Sequence, residues 1–134
     1  MVETALVLTV MLAMIIFGVD MARMLLFQEF FTERAREGAR NAVVHSWDAT
    51  ATANFICYGT STTPPGGTTT PGYLGLLPSQ VSVTSVGDSG VNDARIEVQI
   101  SGVRMFSWIP FMSGNLTAAP VVATAPLESR GATN

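Results

Sequence analysis

The sequence predicts an α+β fold: a long, protruding N-terminal α-helix packed along its C-terminal half on a small antiparallel β-sheet. Three observations predict it. Residues 1–46 read as one unbroken helix, greasy all round at first and amphipathic later. Residues 80–127 contain runs in which apolar side chains alternate with polar ones. Between them lies a Thr-, Pro- and Gly-rich stretch that separates helix from sheet.

The helix opens with a lone acid, Glu3. From Thr4 to Val19 sixteen residues pass without a charge, Pro, Asn or Gln. A helix apolar on every face needs lipid or protein around it. At about 1.5 Å per residue the whole helix spans roughly 70 Å, too long for the inside of a small domain, so its first part must protrude. The apolar run is shorter than the roughly 20 residues of a spanning helix. Continuing to Phe27 makes it long enough and places Asp20 and Arg23 inside. These two stand three residues apart on one face and can pair, which lowers the cost of burial. Beyond them the apolar stripe resumes with Met24, Leu25, Phe27, Phe30 and Phe31. Ala35, Gly38, Ala39 and Ala42 then form a smooth line at i, i+3, i+4 and i+7, suited to close approach of another backbone or a sheet. Glu29, Glu33, Arg36, Glu37 and Arg40 occupy the solvated side. Leu6, Val10, Ala13, Phe17 and Gly18 are the candidates for packing between helices.

The helix is expected to end near His45 or Trp47. Residues 1–47 therefore form one unit, with 1–27 as its protruding part and 28–47 as the spine of a globular domain over 48–134. Ala49 to Asn54 has weak periodicity. Phe55-Ile56-Cys57-Tyr58 reads as a short strand or a strap across the helix. Gly59 to Gly72, GTSTTPPGGTTTPG, is low in complexity and is expected to be an exposed loop. Gln80 to Val86 and Ala94 to Met105 read as an antiparallel hairpin around the turn Gly87 to Asp93. In the second run Ile96, Val98 and Ile100 face one way, and Arg95, Glu97, Gln99 and Ser101 the other. Phe106 to Pro110 breaks the pattern. Val121 to Leu127 is a last strand, limited by Pro126 to an edge or terminus. The tail from Glu128 is polar and expected to fray.

Composition narrows the function. Charged residues make up 13% of the chain, against about 25% in globular proteins, which points to a membrane or assembly role. The seven cations are scattered and all Arg, so a nucleic-acid partner is not expected. His45 and Cys57 are single residues of their kinds. A nucleophile–base pair or a metal site needs more partners, and no phosphate loop or paired-carboxylate cleft appears. An enzyme is therefore not expected, nor a cofactor. Cys57 can be a buried small residue, an intermolecular bridge or a cofactor anchor. Asn115-Leu116-Thr117 fits the N-glycosylation pattern, making Asn115 a candidate acceptor. Nothing basic precedes Thr4, and Asp20-Met21 is no cleavage site, so the apolar segment is expected to remain in the mature protein.

A long apolar helix with an acid near its start, followed by a small β domain, resembles the type IV pilin-like proteins. The sequence is more closely similar to the TadE-like family of the tight-adherence pilus systems. Val2-Glu3, Phe17-Gly18, Arg23, Gln28 and Ala35-Arg36-Glu37-Gly38-Ala39-Arg40 carry the resemblance over residues 1–43. Trp108-Ile109-Pro110 and Glu128 are weaker echoes in the remainder. Two features depart from the family pattern. No basic leader with a Gly cleavage site precedes Met1, so a leader is taken to have been removed. Glu3 also stands two positions earlier than the usual fifth.

The resemblance implies a structural subunit of an extracellular filament on a prokaryotic surface, held in the inner membrane before it polymerises with itself. It also implies separate assembly machinery that includes an ATPase and a prepilin peptidase. The alternatives are a minor pilin-like assembly or tip factor, and a membrane-anchored binding module. Glu3, Asp20 and Arg23 are the candidate assembly residues. Glu3 either neutralises a free N-terminal amine, its own or a neighbour's, or sits solvated at an interface, favoured by the helix dipole.

Overall fold

The computed structural model describes residues 2–45, 48–87, 94–105 and 116–127. The long helix α1 runs without interruption from Val2 to Val44. Its last turn closes through the His45 N–H, which donates to the Asn41 carbonyl at 3.1 Å. Trp47, the later of the two expected ends, lies outside the described residues.

A second helix, α2, spans Ala49–Tyr58. This corrects the expected irregular segment followed by a strand or strap. Local chemistry accounts for it. Asp48, in an extended conformation, caps the first turn: its Oδ1 accepts from the Thr50 N–H at 2.9 Å and the Ala51 N–H at 3.2 Å. These are donors that a helix start otherwise leaves unmet. Gly59 ends the helix with φ +76°, its N–H donating to the Phe55 carbonyl at 2.8 Å, and glycine occupies that left-handed conformation without a Cβ penalty.

Three strands form the main sheet in the order β1-β2-β5: β1 Val81–Val86, β2 Arg95–Ile100 and β5 Val121–Pro126. Both pairings are antiparallel. The register aligns Val81, Ile100 and Val121 in one row, Val83, Val98 and Ala123 in the next, and Ser85, Ile96 and Ala125 in the third. That face is buried or half-buried except at Ser85, whereas Thr84, Glu97 and Thr124 form a row on the other. The alternation in the sequence therefore maps directly onto the two faces of the sheet. The expected long strand Ala94 to Met105 is broken after Ile100. Gly102 takes φ +72°, and the chain leaves the sheet to form a small separate ladder of β3 Arg104–Met105 with β4 Leu116–Thr117. Gln80 ties this bend to the start of β1. Its Nε2 donates to the Gly102 carbonyl at 2.8 Å, and its own carbonyl accepts from the Ser101 N–H at 2.9 Å. The turn residues 88–93, the aromatic break at 106–110, Asn115, Glu128 and the tail lie outside the described residues.

The core lies between the sheet and the C-terminal half of α1, with α2 closing one side. α1 packs on β5, β2 and α2, and α2 packs on β1. Phe31, Ile56, Leu76, Ile96, Val98 and Ile100 are its largest buried side chains.

The loop 59–72 is mostly exposed, but it is tied down. Asn54 Nδ2 donates to Thr63 Oγ1 at 3.1 Å, and the Tyr58 hydroxyl donates to the Thr70 carbonyl at 2.7 Å. The Gly72 N–H donates to the carbonyl of fully buried Leu76 at 2.8 Å. A Cβ on Gly72 would overlap the Cys57 carbonyl, so only glycine lets the loop pass this close to α2.

Candidate functional site

The two halves of α1 differ in what surrounds them. From Val2 to Val19 every residue is exposed, although most are apolar. Leu6 is 64%, Val10 50% and Phe17 55% exposed, and Ala13 lies open beside them. A Cβ on Gly18 would meet nothing within 4 Å, so this glycine leaves a smooth spot on the open side of the helix. By length and composition α1 can cross a membrane, and its most apolar 18-residue stretch is only 6% buried. A monomeric soluble protein rarely exposes so large an apolar surface without a partner for it.

Glu3 is exposed at the start of this surface. Asp20 behaves differently: it is 3% exposed, although Val19 and Met21 on either side are open. The residues at 100° steps around a helix explain the pattern. Asp20 falls on the same face as Phe27, Phe31 and Gly38, of which Phe31 and Gly38 are buried further along. Arg23 lies one turn on, its Nη1 3.9 Å from Asp20 Oδ1 and its side chain 42% exposed. Structure thus brings Asp20 and Arg23 together and leaves Glu3 far along the rod, about 25 Å from Asp20 at the helical rise.

Further along, Ala35, Gly38, Ala39 and Ala42 are all buried. The side chain facing Gly38 belongs to α2: a Cβ there would overlap Ile56 Cγ1 and Cδ1. Arg36, Glu37 and Arg40 are exposed on the other side. Sequence reasoning missed Arg34. Its guanidinium lies 4.4 Å from the Tyr73 ring centroid and 5.5 Å from that of Phe30, and its Nη1 is 3.2 Å from Glu37 Oε2. The helical spacing of Phe30, Arg34 and Glu37 shows in the sequence; the distant Tyr73 does not.

The remaining chemistry is sparse. Cys57 is fully buried and burial pushes its thiol up to about 11, which suppresses the thiolate that nucleophilic or ligand chemistry needs. His45 is exposed at the end of α1, its Nδ1 3.1 Å from the Asn41 carbonyl. Among the described residues no group of three or more His, Cys, Asp or Glu is placed to hold a metal ion. Asn54 Oδ1 is buried without a hydrogen-bond partner.

Residues 1–40 match the model of the TadE-like protein family. The match covers most of α1 and stops before α2 and the sheet, and it associates the chain with the pilin-like proteins of the Tad pilus. No curated protein and no solved structure matches the chain.

Proposed function

We propose that this protein is a structural subunit of an extracellular Tad-type pilus and polymerises through the apolar half of α1. The observation that carries the reading is the division of one continuous helix into an exposed apolar half and a half buried in the domain. Before assembly, residues 1–27 hold the subunit in the inner membrane. In the filament the same residues, with Leu6, Val10, Ala13, Phe17 and Gly18 at the contacts, form the core. Residues 28–47 serve as the spine of the domain, and Ala35, Gly38, Ala39 and Ala42 let its other elements approach.

The energetics suit a helix that changes surroundings. In lipid, neighbouring helices gain no hydrophobic drive toward each other, because the tails are as apolar as they are. Outside the membrane the same surface must be covered. A few hundred Å² per neighbour at about 25 cal/mol per Å² gives several kcal/mol per contact. The subunit needs neither cofactor nor catalysis for this. Prepilin peptidase and an assembly ATPase act on it from outside.

Shearing filaments from the surface of the native cell and resolving them on a gel tests the proposal. A dominant band at 14.2 kDa identifies the main subunit. A trace band identifies a minor pilin-like assembly or tip factor. Filaments that lack the chain altogether overturn both. A domain that keeps a ligand after removal of residues 1–19 would favour a membrane-anchored binding module instead.

A further inference from the structure

We propose that Ser61, Thr62, Thr68 and Thr69 are acceptors for O-linked sugars, attached by a separate glycosyltransferase. The inference rests on the reading above only in placing the globular domain outside the membrane; it does not need the chain to polymerise.

The segment stands out by what it lacks. From Ala49 to Gly87 the chain carries no charged residue. Within residues 60–72 Pro is the only apolar side chain, and hydroxyls are the only polar ones. A Ser- and Thr-rich stretch with Pro is the composition on which stalk-like proteins carry O-linked sugars.

The structure divides these hydroxyls into two sets. Thr63 Oγ1 accepts from Asn54 Nδ2, and Asn54 is buried. Thr60 Oγ1 donates to the Thr62 carbonyl at 3.4 Å. Thr70 is half-buried, and its Oγ1 lies where a Cβ on Gly66 would overlap it. These three are held by the fold. Ser61, Thr62, Thr68 and Thr69 are exposed, and among the described residues their hydroxyls meet no partner. Two successive turns display them. The Gly67 N–H donates to the Pro64 carbonyl at 2.9 Å, and the Thr70 N–H donates to the Gly67 carbonyl at 3.3 Å. Thr68 and Thr69 are thus the central pair of the second turn. None of the four acceptors belongs to the core or to the apolar side chains packed against it, so an attached group overpacks nothing. Ser82, Thr84 and Thr124 are exposed as well. They lie on strands paired with β2, and a transferase cannot draw that backbone into its cleft.

The step is a simple displacement. The acceptor Oγ attacks the anomeric carbon of a sugar diphosphate. The bond from that carbon to the phosphate oxygen breaks, and the diphosphate leaves with the electron pair. The hydroxyl proton passes to a base of the transferase. The product is an uncharged glycoside, which supplies the hydration that charge supplies on other surfaces. A phosphate would instead place about −1.5 to −2 charges on a segment that has no cation of its own.

Peptide masses of the full chain from native cells test the sites. Trypsin cuts after Arg40 and Arg95, so peptide 41–95 carries all four acceptors, whereas Asn115 falls in peptide 105–130. Peptide 41–95 should be heavier than its sequence by whole monosaccharides. Fragmentation should place them on Ser61, Thr62, Thr68 and Thr69 and leave Thr63 and Thr70 bare. The chain with all four acceptors changed to Ala should lose the added mass, and the chain with Thr63→Ala and Thr70→Ala should keep it. Peptide 41–95 at its bare mass, a gain of phosphate, or sugars confined to Thr63, Thr70 or Asn115 overturns the assignment. Sugars on the membrane-held chain with no copy in filaments would leave the assignment standing and overturn the polymerisation reading. A bare peptide from intact filaments would do the reverse.

Discussion

Gly38 of α1 lies directly against the side chain of Ile56 of α2, so closely that a Cβ at Gly38 would overlap its Cγ1 and Cδ1. Ile56 is fully buried and has little room to retreat. Gly38→Ala should therefore cost about 1–3 kcal/mol, as overpacking typically does. Ile56→Ala alone should cost about 2–5 kcal/mol through the cavity it leaves. Together they should cost less than the sum, because the added methyl occupies part of that cavity. Thermal melts of the full chain in detergent measure all three. Strict additivity would mean that α1 and α2 do not meet at this pair.

Arg34 should fasten the start of the 73–80 segment to α1. It stacks on Tyr73 and Phe30 and reaches Glu37. Arg34→Ala is expected to cost about 1 kcal/mol from the lost cation–π contacts and to speed proteolysis within residues 60–72. Glu33→Ala, on the exposed side of the same helix, should stay within about 0.5 kcal/mol. Equal cleavage rates in the two variants would remove Arg34 from this role.

Asp48 supplies the cap of α2 through two backbone donors. Asp48→Ala should lose about 1 kcal/mol, and Asp48→Asn should lose less because an amide oxygen also caps. Chemical denaturation curves compare the two. A midpoint equally lowered by both would argue that charge, rather than the accepting oxygen, matters at this position.

Burial raises the Cys57 thiol from 9.0 to about 11. The fold thus holds the neutral thiol, whereas the unfolded chain ionises at its lower, ordinary value. Stability from this group is complete below about pH 9 and falls as the pH rises toward 11, because the unfolded state binds fewer protons in that window. Tyr58 is pushed up by burial, then by neighbouring Cys57, and acts with the same sign. Cys57→Ala should flatten part of the alkaline decline in melting temperature. In the folded chain at pH 8 a thiol reagent should label Cys57 only as fast as the protein opens. Immediate labelling would contradict the burial.

The loop 59–72 is expected on the outer surface of the proposed filament, since its exposed Thr residues want water and the proposal puts the helix at the axis. An epitope inserted between Pro65 and Gly66, both exposed, should be tolerated and decorated by antibody along intact filaments. Decoration only after dissociation would place the loop in a subunit interface.

Much of this architecture is legible in the sequence where a single period governs burial. Ile96, Val98 and Ile100 alternate with polar residues, and β2 buries them as that alternation requires. The small-residue line of α1 is equally plain. α2 is obscured because its buried side includes Thr52 and Asn54, which blur the apolar period, and because Thr is a weak helix former. Its signals lay at the ends, in Asp48 and Gly59. The break at Gly102 interrupts a run that local alternation alone extends too far. In the candidate site, exposure of the apolar half follows from composition. The burial of Asp20 does not, since local spacing sets it between open Val19 and Met21. The stack of Arg34 on Tyr73 is hidden because Tyr73 lies far from it in sequence.

Because α1 passes from Val2 to Val44 without a break, the exposed apolar half and the domain half share one angular phase. Twisting the domain about the long axis turns Glu3, Phe17 and Gly18 through the same angle. In the proposed filament a subunit therefore could not adjust its head and its stem separately. Whatever fixed the azimuth of the domain on the outside would also fix which side of the stem faces inward, and a torque applied at the surface would pass along the helix to the axis.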